Sequence, residues 1–269
     1  VIFQEKEKQR KDQDKSMRKF LRKTWVIADF EIRKILHDPT EVLLRAVQPA
    51  LWLVIFGQVM ARTRMIPGEN YLDFMTPGIL AQSVLFVSIF YGIAIIWERD
   101  LGLTHKFLAT PTPRTALVLG KALSAGIRCI PLMVIIYILA ILLSVHVLWN
   151  PVNIIGVIFL LSLGAILFST FSLIIACLVK TRERFMGIGQ LMTMPLFFAS
   201  NAIYPIDIMP GWLKIISHFN PLTYMIDGMR LLMIGTPSGF SLITDYTVLA
   251  ISSAVFVLIG GSLYKRVII

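Results

Sequence analysis

The chain has 269 residues, 56% of them apolar and only 16% charged, with a formal net charge of +10. By length alone it would make one or two soluble domains. Long uncharged stretches exclude that, because about 20 mostly apolar residues suffice to cross a bilayer as a helix. The chain is an all-α membrane protein that crosses the bilayer several times. The first forty residues are dominated by charge and show no cleavable apolar leader.

Residues 1–17 form a charged tail, EKEKQRKDQDK at its centre. From Arg18 to His37 the pattern turns amphipathic. Leu21, Trp25, Ala28, Ile32, Ile35 and Leu36 share a helical face, with Lys19, Lys23, Arg33 and Lys34 largely opposite. Such a helix lies in a membrane interface. A plain anchor and a helix that also touches a cytoplasmic partner both fit. Asp38 and Pro39 end it.

Six spans follow: Val42–Ala61, Leu72–Trp97, Gly126–Val147, Asn153–Val179, Phe185–Tyr204 and Tyr246–Tyr264. The connections alternate sides, leaving 22 Lys and Arg on one side and 4 on the other. The positive-inside rule then puts both termini in the cytoplasm. The net charge is mainly a topology signal, not a nucleic-acid signature, with attraction to anionic headgroups secondary.

After span two come Glu98, Arg99, Asp100, Leu103, His105, Lys106, Phe107 and Leu108, then Thr-Pro-Thr-Pro at 110–113. Arg114, Lys121 and Arg128 recur every seven residues, about two helical turns, so they form one basic stripe. Span three is expected to start as a helix in the cytoplasm and to enter the bilayer near Arg128. Headgroup contact and docking on a polar partner both suit that stripe.

Span five is unlike its neighbours. Gln190, Thr193, Phe197, Ser200, Asn201 and Tyr204 gather on one side of a helical projection. Lipid penalises such a face, so it looks toward protein or water. Helix–helix hydrogen bonding and a substrate path both account for it.

Several chemistries are missing. There is no phosphate-binding Gly-x-x-x-x-Gly-Lys-Ser/Thr loop. His37, His105, His146 and His218 lack ligand partners at metal spacing, and Cys129 and Cys177 read as small apolar residues. No span carries an Asp or Glu near its middle, as an ion-coupled carrier would. The sequence offers no catalytic, metal or cofactor site, so uphill transport must be driven by another protein.

The segment after span five neither spans nor dissolves. In order it reads Asn201-Ala-Ile-Tyr-Pro205, Met209-Pro-Gly-Trp-Leu213, Asn220-Pro-Leu-Thr-Tyr224 and Asp227-Gly-Met-Arg230. That series resembles the C-terminal signature of ABC-2 type transporter permeases, of the daunorubicin-resistance-like and polysaccharide-export-like kinds. Leu108-Ala-Thr-Pro111 followed by Leu119-Gly-Lys121 resembles the same family after span two. The likeness covers about Arg18–Arg266.

The resemblance implies an exporter's membrane subunit with several parts. The helix over 18–38 would lie beside a nucleotide-binding ATPase subunit. The loop over 98–113, within a transmembrane domain over 40–266, would insert into that subunit. Two ATPase copies, holding ATP and Mg, and a second permease copy or paralogue would complete the assembly in a prokaryotic inner membrane. Residues 206–235 would form paired re-entrant helices outside, around Trp212, Phe219, Asn220, Pro221, Tyr224, Asp227 and Arg230. Trp212, Ile215, Ile216 and Phe219 would bury one face of the pair, and Met225, Ile226, Met229 and Met233 another. Asp227 and Arg230, at i and i+3, are spaced to pair. The cargo would be an amphipathic drug, a lipid or a lipid-linked glycan. A membrane scaffold without a path, or an ion-coupled carrier, is the alternative.

Overall fold

The computed structural model describes residue 33 and residues 39–62, 70–101, 114–179, 181–236 and 239–264. Among these there are helices and connections but no strands. Leu21, Trp25, Ile32 and Lys34 lie outside the described residues, as do Leu103, His105, Lys106, Phe107 and Leu108.

Among the described residues, five stretches are long and apolar enough to cross a membrane: Leu43–Arg62, Tyr71–Trp97, Val118–Leu142, Pro151–Leu178 and Leu242–Leu263. The first is built from α1 (Pro39–Leu51), a π-helical turn (Trp52–Gly57) and α2 (Gln58–Arg62). Pro49 sits inside α1 and has no N–H to give. A proline there interrupts the helical ladder, and the wider π turn follows directly. Such turns are frequent at functional sites.

Helix α3 (Tyr71–Asp100) is the most enclosed of the five, with 78% of its apolar window buried. Asn70 caps it by accepting a hydrogen bond from the Leu72 N–H. Helix α4 (Arg114–Leu142) runs unbroken from the Arg114 end through Pro131, and α5 is Pro151–Leu178. Span three was expected to reach Val147, but the helix stops at Leu142. Ser144 takes a positive φ of 58°, a conformation that a continuing helix cannot use. The Leu148 N–H then bonds the Met233 carbonyl. Asp73 accepts from the His146 backbone N–H and meets its ring nitrogen Nδ1 at 2.9 Å, which holds this connection against α3.

Helices α3 and α5 form the centre, and α4 packs on both. Lipid removes the hydrophobic drive between helices, so close contact of small residues and interhelical hydrogen bonds take over. On α5, Gly164, Ala165, Ser169, Ser172 and Ala176 are buried, and the Ser172 hydroxyl donates to the Ile89 carbonyl on α3.

Helix α6 (Arg182–Phe198) has 17 residues, about 26 Å at 1.5 Å per residue, short of a hydrocarbon core of about 30 Å. The fifth span was expected to run to Tyr204. Instead Ala199 ends the helix and residues 199–204 make turns and bends. A 3₁₀ turn (Ile206–Ile208), α7 (Gly211–Phe219) and α8 (Pro221–Ile234) follow. Helix α8 packs on α3, α5 and α9 (Leu242–Leu263). It ends at Gly235, whose φ of 79° makes a left-handed cap natural to glycine.

Candidate functional site

Helices α1, α3 and α6 enclose a cavity of about 300 Å³. Arg45 and Gln48 reach it from adjacent turns of α1, Gln82 from α3 and Gln190 from α6. Phe86 and Phe90, one and two turns beyond Gln82, form its floor. Arg45, Gln48 and Gln190 are exposed, although each sits in or beside an apolar helix. Gln82 is 3% exposed, and its Oε1 has no hydrogen-bond partner. Among the described residues, Arg45 is the charged side chain in the lining. Lipid would not tolerate this set on an open helix face. It suits a wet or polar occupant.

Above the pocket the walls turn aromatic. The Trp52 ring in the π turn meets Phe56 and Phe197 edge-on, with centroids at 5.0 and 5.9 Å. Beyond them an apolar groove of about 570 Å³ runs between the end of α6 and α7, lined by Phe198, Tyr204, Trp212, Ile216 and Phe219 among others. Trp212, Ile215, Ile216 and Phe219 were expected to bury a helix face. They are instead among the most exposed apolar side chains, Phe219 at 85%. Among the described residues of the single chain no helix covers them, since α7 makes few contacts with the rest of the bundle.

The residues expected on one face of span five separate in space. Gln190 opens into the pocket. Thr193 is buried and its hydroxyl returns to the Gly189 and Gln190 carbonyls. Phe197 is fully buried against Trp52, and the Ser200 hydroxyl donates to the Phe197 carbonyl. Asn201 is buried in the turn, while Tyr204 lines the upper groove and donates to the Phe198 carbonyl. Helical projection fails here because the helix ends at Phe198, so Ser200, Asn201 and Tyr204 do not continue its face.

The segment over 201–230 is held by four polar side chains. Asn220 caps α8 by accepting from the Leu222 N–H, and its Nδ2 donates to the Leu196 carbonyl at 2.6 Å. It thereby joins the end of α6 to the start of α8 directly before Pro221. Tyr224 donates to the His218 carbonyl and stacks near Phe240. Asp227 and Arg230 engage different partners instead of each other. The Asp227 carboxylate accepts the Gly239 and Phe240 N–H groups. The Arg230 guanidinium donates to the Asn201 carbonyl at 2.7 Å and the Phe74 carbonyl at 3.4 Å, and lies 3.9 Å over the Phe74 ring. The i, i+3 spacing permits a pair, but the fold brings backbone carbonyls to Arg230 and backbone N–H groups to Asp227 from other elements.

At the opposite end, α3 is fastened to the α5–α6 connection. Arg182 donates to Asp100 at 2.8 Å and stacks 3.9 Å over Trp97. Arg99 donates to the Val179 carbonyl at 3.3 Å. Glu98 is within α3, with its side chain outside the description. The hydrogen bond from Arg182, reinforced by the charges of Arg182 and Arg99, lowers the Asp100 carboxyl below its usual range. A lowered carboxyl keeps its charge at neutral pH. The tie is therefore present there and is lost only as pH falls through that lowered value.

Arg45, Gln48, Gln82 and Trp52 were not singled out in the sequence. The signal was present, as amides and an arginine interrupting apolar runs. The sequence could not tell that residues 34 positions apart, and then a further 108, would meet in one cavity.

A bundle of helices long and apolar enough to cross a bilayer, with a polar pocket on its exposed face, is the build of a multi-pass membrane protein. Residues 22–234 match the ABC-2 type transporter family, and the chain belongs to that family. It is 29% identical over 79% of its length to the transport permease ycf38 of Cyanophora paradoxa, covering 74% of that protein. It is 24% identical to the daunorubicin resistance ABC transporter permease DrrB1 of Streptomyces coeruleorubidus, over 76% of this chain and 72% of the relative. With the inner membrane transport permease YadH of Escherichia coli K12 it shares 25% identity over 90% of this chain and 96% of that one.

Proposed function

We propose that the chain is the permease subunit of an ATP-driven exporter. Two copies, or one copy with a paralogue, enclose a path for an amphipathic drug, lipid or lipid-linked glycan. Two nucleotide-binding ATPase subunits, which hold ATP and Mg, sit below. The observation that carries this reading is the convergence of Arg45, Gln48, Gln82 and Gln190 on one pocket at the exposed face of three apolar helices.

In this reading α6 is the sixth membrane-crossing element, its short length completed by the turn over 199–204. The basic ends of α3, α4 and α6 face the cytoplasm, with both termini. The α7–α8 pair then caps the path outside. Backbone that dips into a bilayer must rest on protein or water, and the buried contacts of Asn220, Asp227 and Arg230 meet that demand.

ATP binding closes the ATPase pair and pushes on the loop over 98–113. The Asp100–Arg182–Trp97 junction passes that push from α3 to α6, which carries Gln190 and Phe197. The seam opens outward and Trp52 swings away from Phe197.

The test is reconstitution with the partner ATPase in inverted vesicles, with amphipath uptake as the readout. Uptake should require ATP, and the chain purified alone should hydrolyse none. Uptake driven by a proton or sodium gradient without ATP, or intrinsic hydrolysis free of contaminating ATPase, overturns the reading. Asp100→Asn and Arg182→Ala should each lower uptake several-fold and leave the melting temperature nearly unchanged, because an exposed ion pair contributes little to stability. Asp100→Glu should recover part of the uptake. A fall in melting temperature that matches the loss of uptake would make this junction merely structural.

A further inference from the structure

Asp245 is a buried carboxyl that the transport reading leaves unused. It sits in the first turn of α9 and is 0% exposed. Among the described residues neither of its oxygens has a hydrogen-bond partner. It presses on α8 at Gly228. A Cβ at Gly228 would lie 3.3 Å from Asp245 Oδ2 and 2.9 Å from Leu160 Cδ1, so this seat has little spare room.

The polar neighbours are committed elsewhere. Asp227, the residue before Gly228, accepts the Gly239 and Phe240 N–H groups and acts on Asp245 as a like charge. Tyr224 donates to the His218 carbonyl, and Tyr246 to the Gly156 carbonyl. Arg230, also on α8, turns to the Asn201 and Phe74 carbonyls. His218 of α7 stands against the Phe240 ring, with centroids 5.6 Å apart. Helices α4 and α5 also pack on α9. Helix α5 carries no charged residue, and its Cys177 lies at the opposite end. On α4, Arg128 turns to the Tyr91 ring of α3, Tyr137 packs on Trp149, and Arg114 and Lys121 lie nearer the helix start.

A carboxylate in this seat would lose its water and gain no donor. A buried charge left in that state neutralises instead. The positive end of the α9 dipole favours a charge, but that effect is small beside the loss of all hydration. A metal ion would need several oxygen ligands. Among the described residues no three His, Cys, Asp or Glu side chains gather to supply them. A proton needs one oxygen.

We infer that Asp245 is a proton-binding site: α9 closes on Gly228 of α8 around the neutral acid, and the contact loosens when the proton leaves. Asp227 pins the 239–240 connection beside it, so the site lies at the root of the α7–α8 segment. It goes beyond the exporter reading and stands on the packing of α8 and α9 alone.

The experiment uses the full chain in neutral detergent without ATP or ATPase. Dicyclohexylcarbodiimide enters apolar regions and adds to neutral carboxylic acids. A carboxyl oxygen bonds the carbodiimide carbon, the proton passes to a carbodiimide nitrogen, and nothing leaves. Peptide mass spectrometry reads the adduct, with exposed Asp207 as the internal reference. At neutral pH a solvated carboxyl is ionised, so Asp245 should carry at least about ten times the adduct of Asp207. A water-soluble cationic carbodiimide should reverse that order.

Asp245→Asn keeps the shape and cannot ionise. The packed parent holds a proton that its unfolded chain releases, so the parent loses stability as pH rises. The melting temperature of Asp245→Asn should therefore exceed that of the parent by a margin that grows from about pH 5 to about pH 8. A margin that stays flat or shrinks overturns the proposal, as does preferential attack of dicyclohexylcarbodiimide on Asp207. Protection of Asp245 by sodium or calcium at constant pH would reassign the site to a metal cation. Neither readout involves transport, so failure here leaves ATP-driven uptake untouched, and failure of that uptake leaves this site untouched.

Discussion

Replacing Arg230 with alanine should destabilise the chain by about 3 kcal/mol or more, read as a large fall in melting temperature in detergent. The guanidinium is 6% exposed and serves two carbonyls on separate elements, Phe74 on α3 and Asn201 in the turn after α6. Its removal strands the Asn201 carbonyl, at about 1–3 kcal/mol for a buried acceptor left unsatisfied, and takes a second donor from the Phe74 carbonyl inside α3. It also ends the cation–π contact with Phe74, worth about 0.5–2 kcal/mol. Release from the cost of burying a charge works the other way. The losses win, because alanine leaves a cavity as well as the Asn201 carbonyl without its donor. Arg230→Lys should recover less than half of the loss, because one ammonium lacks the planar fork that spans both carbonyls. A melting temperature within a degree or two of the parent in Arg230→Ala would refute this assignment.

Gly78 should be nearly as intolerant. A Cβ placed there would lie 2.6 Å from the Ala202 carbonyl oxygen and 2.8 Å from the Ala202 Cα. Both are backbone atoms, so no side chain can rotate away. Gly78→Ala must push α3 from the turn over 199–204, and such overpacking typically costs about 1–3 kcal/mol. Gly78→Val adds further bulk and should exceed that range. The displacement would also strain two hydrogen bonds anchored in that turn, from Tyr71 to the Ile203 carbonyl at 2.9 Å and from Arg230 to the Asn201 carbonyl. Shortening the facing residue gives a discriminating control. Ala202→Gly should fail to rescue Gly78→Ala, because the clash is with main chain. Full rescue by Ala202→Gly would show that side-chain crowding was responsible.

Both predictions concern the same junction, where α3, the end of α6 and α8 meet. Asn220 is its third fastener, linking the Leu196 carbonyl to the cap of α8. This end is rigid by construction. The other end is held by exposed contacts, Arg182 on Asp100 and Trp97. In the exporter reading the first suits a cap that keeps its shape, and the second suits a lever that receives force.

The helical class and most of the spans were legible in the sequence, because a bilayer leaves a backbone few options and an apolar run of fixed length reports one of them. The break in the segment over 201–230 was equally plain from its prolines and amides, and Asn220-Pro221 marks a helix start locally. Boundaries were read less well where a fold-dependent event ended the helix. Ser144 and Ala199 terminate α4 and α6 inside sequence that is still apolar on either side.

Periodicity assigns residues to a face and is silent about what that face meets. Trp212 and Phe219 looked like a surface to be buried and are exposed in the single chain. Phe197 and Thr193 suited either a path or helix contact and are buried in the single chain, and Met225, Ile226, Met229 and Met233 are buried as well. Composition and hydrophobic pattern, which are local, determined that this is a polytopic helical membrane protein. Only the tertiary structure decided that Arg45, Gln48, Gln82 and Gln190 share a cavity and that Arg230 turns from Asp227 to two distant carbonyls. Those contacts join residues far apart in the chain, and burial, not spacing, selects which polar groups must find each other.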